Sequence, residues 1–371
     1  MKQSWHSESI EDLCEVEYGT RVVRKRDAGT IYPVYGGGGA TFSMDTYNRE
    51  DRMVIARFAM SKRCARFVDG KFFLNDSGLT ISPLDDNTFD QDFLNYQILS
   101  LNDEIYSLAR GTAQKNLNVN AFKKVQLSYP ASLEEQKQIV AKLDQCFEAI
   151  DKARANAAKN LENAKELFQS KLNEIFSQKG EGWVEKKLGE ISDVTYGFTD
   201  KSVEVGDFRY VRITDIDNNG ELISTGKKYI SSSKDGKKFI LKDNDILMAR
   251  TGATFAKLLL YKDIEPSIFA SYLIKIDFTE SIDNEFYWFY AKSNSYWDQA
   301  NTLSTGSAQP HFNGKALKQV LFPYPVSKTE QSRLINEFKR FQSKTQSLES
   351  KYQQELNSLE ELKKSILQKA F

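Results

Sequence analysis

Few side chains in this sequence could carry acid–base or nucleophilic chemistry. His6 and His311 are the only histidines, which argues against a structural zinc site or a histidine-driven triad. Cys14, Cys64 and Cys146 are odd in number and far apart, so they make neither a disulfide framework nor a C-x-x-C metal pair. Gly220 to Gly226-Lys227-Lys228 approaches a phosphate loop, but its spacing is one residue too long and Lys228 stands where a metal-binding Ser or Thr belongs. Gly36–Gly39 lacks the following helix and the acidic residue of a dinucleotide fingerprint. No Asn-Pro-Pro-Tyr-type motif occurs, and no acidic pair beside a lysine marks a nuclease centre. Catalysis, if any, comes from a partner, and what remains is binding chemistry.

That chemistry is basic. Arg21-Val22-Val23-Arg24-Lys25-Arg26 is the densest cationic run, either a solvated turn or a phosphate contact directly after Tyr18-Gly19. Tyr35 followed by Gly36 to Gly39 is a loop without side chains, either flexible or open to phosphates through its amides. Arg57, Lys62 and Arg63 occupy a place in the first half comparable to Arg250-Thr251-Gly252-Ala253-Thr254 in the second, a strand-end loop. Arg209 and Arg212, with Lys227, Lys228, Lys237 and Lys238, complete the candidate DNA contacts; arginine suits guanine edges and lysine suits phosphates. Gln114 and Gln309 sit in repeated Gly-(Thr/Ser)-Ala-Gln turns, where a backbone contact or a structural role fits better than reading sequence.

The elements that must position these groups come from an internal repeat. Gly111-Thr112-Ala113-Gln114 returns as Gly306-Ser307-Ala308-Gln309, and the same spacing aligns Asn118 with Asn313, Tyr129-Pro130 with Tyr324-Pro325, Glu135-Gln136 with Glu330-Gln331, and Phe176 with Phe371. A second match opens each half: Trp5, Ile10, Leu13, Val16 and Tyr18-Gly19 correspond to Trp183, Leu188, Ile191, Val194 and Tyr196-Gly197. Between these anchors the halves diverge, so each is a common frame around an unlike insert. The inserts read as α+β: Arg52–Phe58, Lys71–Leu74, Phe208–Ile213 and Lys257–Tyr261 as strands, Asp90–Ser107 and Asn284–Gln299 as helical.

After each Tyr-Pro comes a Ser-x-x-Glu capping pattern, Ser132–Glu135 and Ser327–Glu330, and then more than 40 residues without internal Pro or Gly. One stripe runs through Ile139, Leu143, Cys146, Ile150, Ala153, Ala157, Ala164 and Leu167; the other through Leu334, Phe338, Phe341, Thr345, Leu348, Tyr352, Leu359, Leu362 and Ile366. Small residues on the first stripe match large ones on the second, as antiparallel pairing requires. A helix of ~45 residues is about 65 Å long, which makes the expected pair a rod.

Length and charge agree with a multidomain binding protein. The chain has 371 residues, with Lys plus Arg and Asp plus Glu each totalling 51. Neutrality hides segregation: Glu17–Asn75 carries a net of +5 and Lys201–Lys262 a net of +4, while Asp76–Glu104 has seven acids and no base. Two basic lobes suit a polyanionic partner. No stretch approaches the ~20 apolar residues of a membrane helix, and no secretory leader is evident, so a cytoplasmic protein with no membrane role is expected.

Over its whole length the sequence resembles the specificity (S) subunit of type I restriction-modification systems, the HsdS family. The resemblance rests on the opening Leu188-Gly189-Glu190-Ile191-x-Asp193-Val194-x-Tyr196-Gly197 and its cousin Leu13–Gly19, and on Asp243-x-Asp245-Ile246-Leu247-Met248-Ala249-Arg250-Thr251-Gly252. The Gly-Ser-Ala-Gln…Pro-x-Pro…Glu-Gln-x-x-Ile pattern and the terminal helix add to it. The first half departs in lacking a Leu-Gly-Glu start and in its glycine-rich loop. The resemblance implies an α+β fold with two α/β target-recognition domains in pseudo-twofold arrangement, separated by a long antiparallel two-helix coiled coil. Its domains would be 1–130 and 180–326, with spacer helices 131–179 and 327–371.

The implied function is non-catalytic host defence. Each domain would read half of a split, asymmetric site in double-stranded DNA from the major groove. The helices, through Ile139, Leu143, Ile150, Leu334, Phe338, Phe341 and Leu348, would dock two methyltransferase and two restriction subunits around one copy of this chain. S-adenosylmethionine, ATP and Mg2+ would be held by those partners, with no metal or cofactor on this chain. A single-chain DNA-modifying enzyme and a protein-only coiled-coil adaptor are the competing readings.

Overall fold

The repeated segments fold alike, strand for strand. A computed structural model of the chain describes residues 5–231, 236–306 and 311–371, with the side chains of Lys237 and Ala253 left outside the description. It divides into two units, residues 1–158 with 353–371, and residues 159–352.

The first unit holds a six-stranded sheet in the order Cys14–Tyr18, Gly78–Pro83, Arg49–Ala56, Ala65–Leu74, Tyr32–Gly36, Gly39–Met44. All its pairings are antiparallel except that of Tyr32–Gly36 with Ala65–Leu74. The second unit repeats the first four places as Ser192–Tyr196, Leu273–Phe278, Ile246–Ala249, Leu258–Leu260, and adds a separate sheet of Tyr229–Ile230, Phe208–Val211 and Ser267–Phe269. Below each sheet a two-stranded ribbon recurs in the same register, His6 opposite Tyr129 and Val184 opposite Tyr324. The expected strands and helical stretches are present with shifted ends; Asp90–Ser107 breaks into helices Gln91–Ser100 and Asn102–Ser107.

Repeated residues do repeated structural work. Gln136 and Gln331 are fully buried. Gln136 Oε1 accepts from Asp90 N at 2.8 Å while its Nε2 donates to the carbonyls of Thr88 and Pro130. Gln331 makes the same set with Asp283 N, Ser281 O and Pro325 O. Asn118 and Asn313 cap equivalent one-turn helices through their side-chain oxygens. A buried amide that satisfies three backbone groups cannot be exchanged for an apolar side chain without leaving them unpaired.

The long helices run Leu133–Gln178 and Lys328–Ala370. Ser132 and Ser327 accept from the amides of Glu135 and Glu330, as the capping patterns predict. Within the first unit, Leu143, Phe147 and Ile150 pack on Leu359, Ile366, Leu367, Ala370 and Phe371, and Lys363 pairs with Asp151 and Arg154 with Glu360. Within the second, Phe176 stacks on Phe338 at 5.6 Å, and Leu172 and Leu334 join the same core. In each unit one helix thus runs antiparallel to the other.

Four stripe positions differ from expectation: Cys146, Leu167, Leu348 and Leu362 face solvent, and on the first helix Phe147 and Phe168 turn inward instead. A straight helix drifts from a strict seven-residue repeat by about 20° per heptad. Each helix also packs on a sheet domain as well as on its partner, which widens its buried face. Leu143, Ile150, Leu334 and Phe338 are buried in these cores, Ile139 and Phe341 are half-buried, and Leu348 is exposed. The buried four therefore build the helix pair and cannot themselves be the surface that docks partner subunits.

Candidate nucleic-acid interface

Each unit ends its central strand in an arginine laid on an exposed tyrosine. Arg49–Ala56 is followed by Arg57, whose guanidinium lies 4.9 Å from the Tyr18 ring and 4.6 Å from Phe58. Ile246–Ala249 is followed by Arg250, 5.5 Å from the Tyr196 ring and 5.1 Å from Tyr272. Tyr18 and Tyr196 belong to the repeated Tyr-Gly pairs, and the glycines explain why the pairs recur. A Cβ on Gly19 would lie 1.9 Å from Asn75 O, and one on Gly197 would lie 2.2 Å from Ala270 O. Only glycine lets the edge strand approach the neighbouring turn so closely, and that approach sets the tyrosine beside the arginine.

The segments that follow the Gly-(Thr/Ser)-Ala-Gln stretches bond to the same two arginines. Leu117 N donates to Arg57 O and Phe312 N to Arg250 O, each at 2.8 Å. Gly111 and Gly306 have φ +108 and +91, in the left-handed region. Gln114 is exposed; Gln309 lies outside the described residues. Tyr196 is held further, because its hydroxyl accepts from Gly314 N at 2.8 Å.

The other basic candidates divide by environment. Arg21, Arg24, Lys25, Arg26, Lys62, Arg63 and Lys238 are exposed, Arg26 with a partner in Asp27. The side chain of Lys237 is outside the described set. Arg209 corrects the sequence reading: it is 2% exposed, pairs with Asp263 at 3.1 Å and donates to Ile223 O, so it is an internal clamp of the second unit. Thr251 is also buried, and Gly36 is packed against Ser77 and Asn75 in a hairpin turn rather than offering free amides.

Arg212 is forked onto Asp215, which holds its guanidinium above the ordinary value, while Lys227 is raised by Glu265 and Lys228 is paired with Glu204. Thr254 donates to Ile213 O, and Tyr35 packs edge-on to Phe72. Arg57 and Arg250 differ from the clamped arginines in that aromatic faces hold them. Such a platform orients a guanidinium toward a ligand, and Arg57 is steadied further by Nη1 donating to Asp76 O at 3.3 Å.

The sequence reading used Tyr18-Gly19 only as a repeat anchor and passed over Tyr272, which is 51% exposed. The recurrence of the Tyr-Gly pair was the available signal for the first; nothing local marks Tyr272. No group of three or more His, Cys, Asp or Glu among the described residues is placed to hold a metal ion, and no described helix is long and apolar enough to cross a membrane.

Two homologous α/β units, each presenting an arginine on a tyrosine, make this a duplicated protein with a recurrent basic site. The type I restriction modification DNA specificity domain matches residues 2–160 and again 180–358, and the chain belongs to that family. It is 24% identical over 286 residues to the type I restriction enzyme StySPI specificity subunit of Salmonella potsdam, covering 72% of this chain and 61% of that protein. It is 25% identical over 288 residues to the MjaVIII specificity subunit of Methanocaldococcus jannaschii, covering 69% and 66%. These matches thus span slightly under two thirds of either relative's length.

The fold is shared with the HsdS subunit from Thermoanaerobacter tengcongensis, at TM-score 0.61 and 18% identity over 99% of this chain and 96% of that one. A chain solved to explain complex assembly and conformational transition of the type I R-M system aligns at TM-score 0.76 and 18% identity, over 99% and 97%.

Proposed function

We propose that this chain is the non-catalytic DNA-recognition subunit of a type I restriction-modification assembly, each unit reading one half of a bipartite, asymmetric duplex site. The observation that carries this is the recurrence of one Arg-on-Tyr constellation, Arg57 with Tyr18 and Arg250 with Tyr196, where a repeated frame meets inserts of unlike sequence. A common anchor in unlike surroundings suits two readers that approach DNA alike and read different bases. The fork of each arginine supplies two parallel donors, the geometry of the guanine O6 and N7 edge in the major groove. Arg21, Arg24, Lys25, Lys62, Arg63 and Lys238 supply phosphate contacts.

Two methyltransferase and two restriction subunits would join one copy of this chain. The former would hold S-adenosylmethionine and the latter ATP and Mg2+; partners would meet the outward faces of the long helices, since the inward ones are filled.

The test is co-expression with a methyltransferase subunit, followed by sequencing of methylated adenines and a salt titration of duplex binding. A split target is expected. With about six phosphate contacts, affinity should fall on the order of 10³-fold between 50 and 200 mM salt. Affinity indifferent to salt, or methylation without a sequence preference, would refute the proposal.

A further inference from the structure

The second unit contains a cavity that DNA recognition does not use. It has a volume of about 420 Å³, within the range of small-ligand sites. Lys165, Lys257 and Lys292 line it against one carboxylate, Glu349. Trp288 and Trp297 form aromatic wall. The cavity is therefore cationic and partly flat-sided.

Its central group is Lys292. The Nζ lies 3.3 Å from the centre of the Trp288 ring, and Lys292 O accepts from Gln169 Nε2 at 2.8 Å, so the residue is held at both ends. Trp288 is fixed in turn by its Nε1 donating to Gly220 O at 3.1 Å. Gly220 has φ +76, and a Cβ there would lie 2.5 Å from Leu258 O, so this wall is rigid and takes no side chain. Lys292 is half-buried, and a charge drawn out of water is ordinarily paired with a carboxylate. Here an indole face substitutes, and burial pushes the amine down to about 8 despite the pull of Glu221, Asp217 and Glu285. Lys257 donates to Asn218 Oδ1, a neutral partner that leaves its charge uncompensated. Three lysines against one carboxylate leave the lining with an excess of positive charge, which an anion in the cavity would balance.

We propose that this cavity binds a small anion attached to a flat ring, the chemistry shared by mononucleotides and aromatic carboxylic acids. Lys292, Lys257 and Lys165 take the anionic group, and the face of Trp297 lies along the ring. The site is independent of the DNA-recognition reading, because none of its residues belongs to the Arg-on-Tyr constellations.

The experiment is calorimetric titration of the full chain at low salt with AMP, indole-3-carboxylate and inorganic phosphate. At least one ring-bearing anion should bind, and which one does distinguishes the two sources. Inorganic phosphate should bind at least roughly tenfold more weakly, because it lacks the ring. Lys292→Met, which keeps an apolar stem over Trp288, should weaken binding roughly tenfold or more, the value of a lost charge-assisted hydrogen bond. Lys257→Met, at a half-buried position, should do the same and decides the matter if circular dichroism shows that Lys292→Met has lost its fold. The proposal is overturned if neither ring-bearing anion binds below about 10 mM, if phosphate alone binds as tightly, or if a folded lysine variant binds as well as the parent chain.

Discussion

Replacing Arg250 by lysine separates base reading from simple charge. The guanidinium lies over Tyr196 at 5.5 Å and Tyr272 at 5.1 Å, both exposed rings. Lysine keeps the positive charge but loses the planar fork and the stack. Two exposed cation–π contacts at about 0.5–1 kcal/mol each hold the group in place. A bidentate contact to the correct base discriminates by about 1–3 kcal/mol, or roughly 5- to 150-fold. Arg250→Lys should therefore weaken binding by that factor and relax preference at one position of one half-site, leaving the salt dependence unchanged. Arg57→Lys should do the same at one position of the other half-site.

The assay is fluorescence anisotropy of the methyltransferase-bound chain on duplexes carrying every single-base substitution. A uniform loss on all sequences would make these arginines phosphate contacts and refute the reasoning. So would loss at the same half-site for both variants.

Other consequences are structural. Gln331→Leu leaves Asp283 N, Ser281 O and Pro325 O unpaired in a buried site, so urea unfolding should show a loss of at least about 3 kcal/mol; Gln136→Leu should match it, and a loss under about 1 kcal/mol would show that the repeat is not held by these amides. Burial pushes the Cys14 thiol up to about 12 and Cys64 to about 11, whereas Cys146 is exposed on the first long helix. A maleimide should modify Cys146 alone in the native chain and all three cysteines in denaturant, as counted by mass spectrometry.

Hydrogen bonds from Lys186 and then Tyr324 lower the Glu280 carboxyl below its ordinary 4.5. A depressed folded-state value means that this stabilisation is complete above the unfolded value and is lost as pH falls through the folded one. Glu280→Gln should accordingly reduce the acid sensitivity of the urea midpoint below about pH 4.5, and an unchanged slope there would rule the pair out.

Much of the frame was legible because identical residues were asked to do identical work. Gln136 and Gln331, Asn118 and Asn313, and Tyr129 and Tyr324 recur at one spacing; the glutamines make the same bonds, and the others stand at equivalent places in their own units. The long helices were legible from their caps and periodicity. Their inward faces were less so, since Phe147 rather than Cys146 is chosen by the sheet domain that also packs there.

The inserts were the hard part. Composition marks them as basic, yet a cation's role depends on what lies beside it after folding. Arg209 and Arg250 are indistinguishable as letters; Asp263, 54 positions away, draws one inside, while Tyr196 and Tyr272 hold the other at the surface. Local sequence determined the duplicated frame, its caps and its helical lengths, because those rest on short-range bonding and periodic burial. Tertiary structure alone decided which charges face outward, because the partners that bury or free them are brought together only by the sheet.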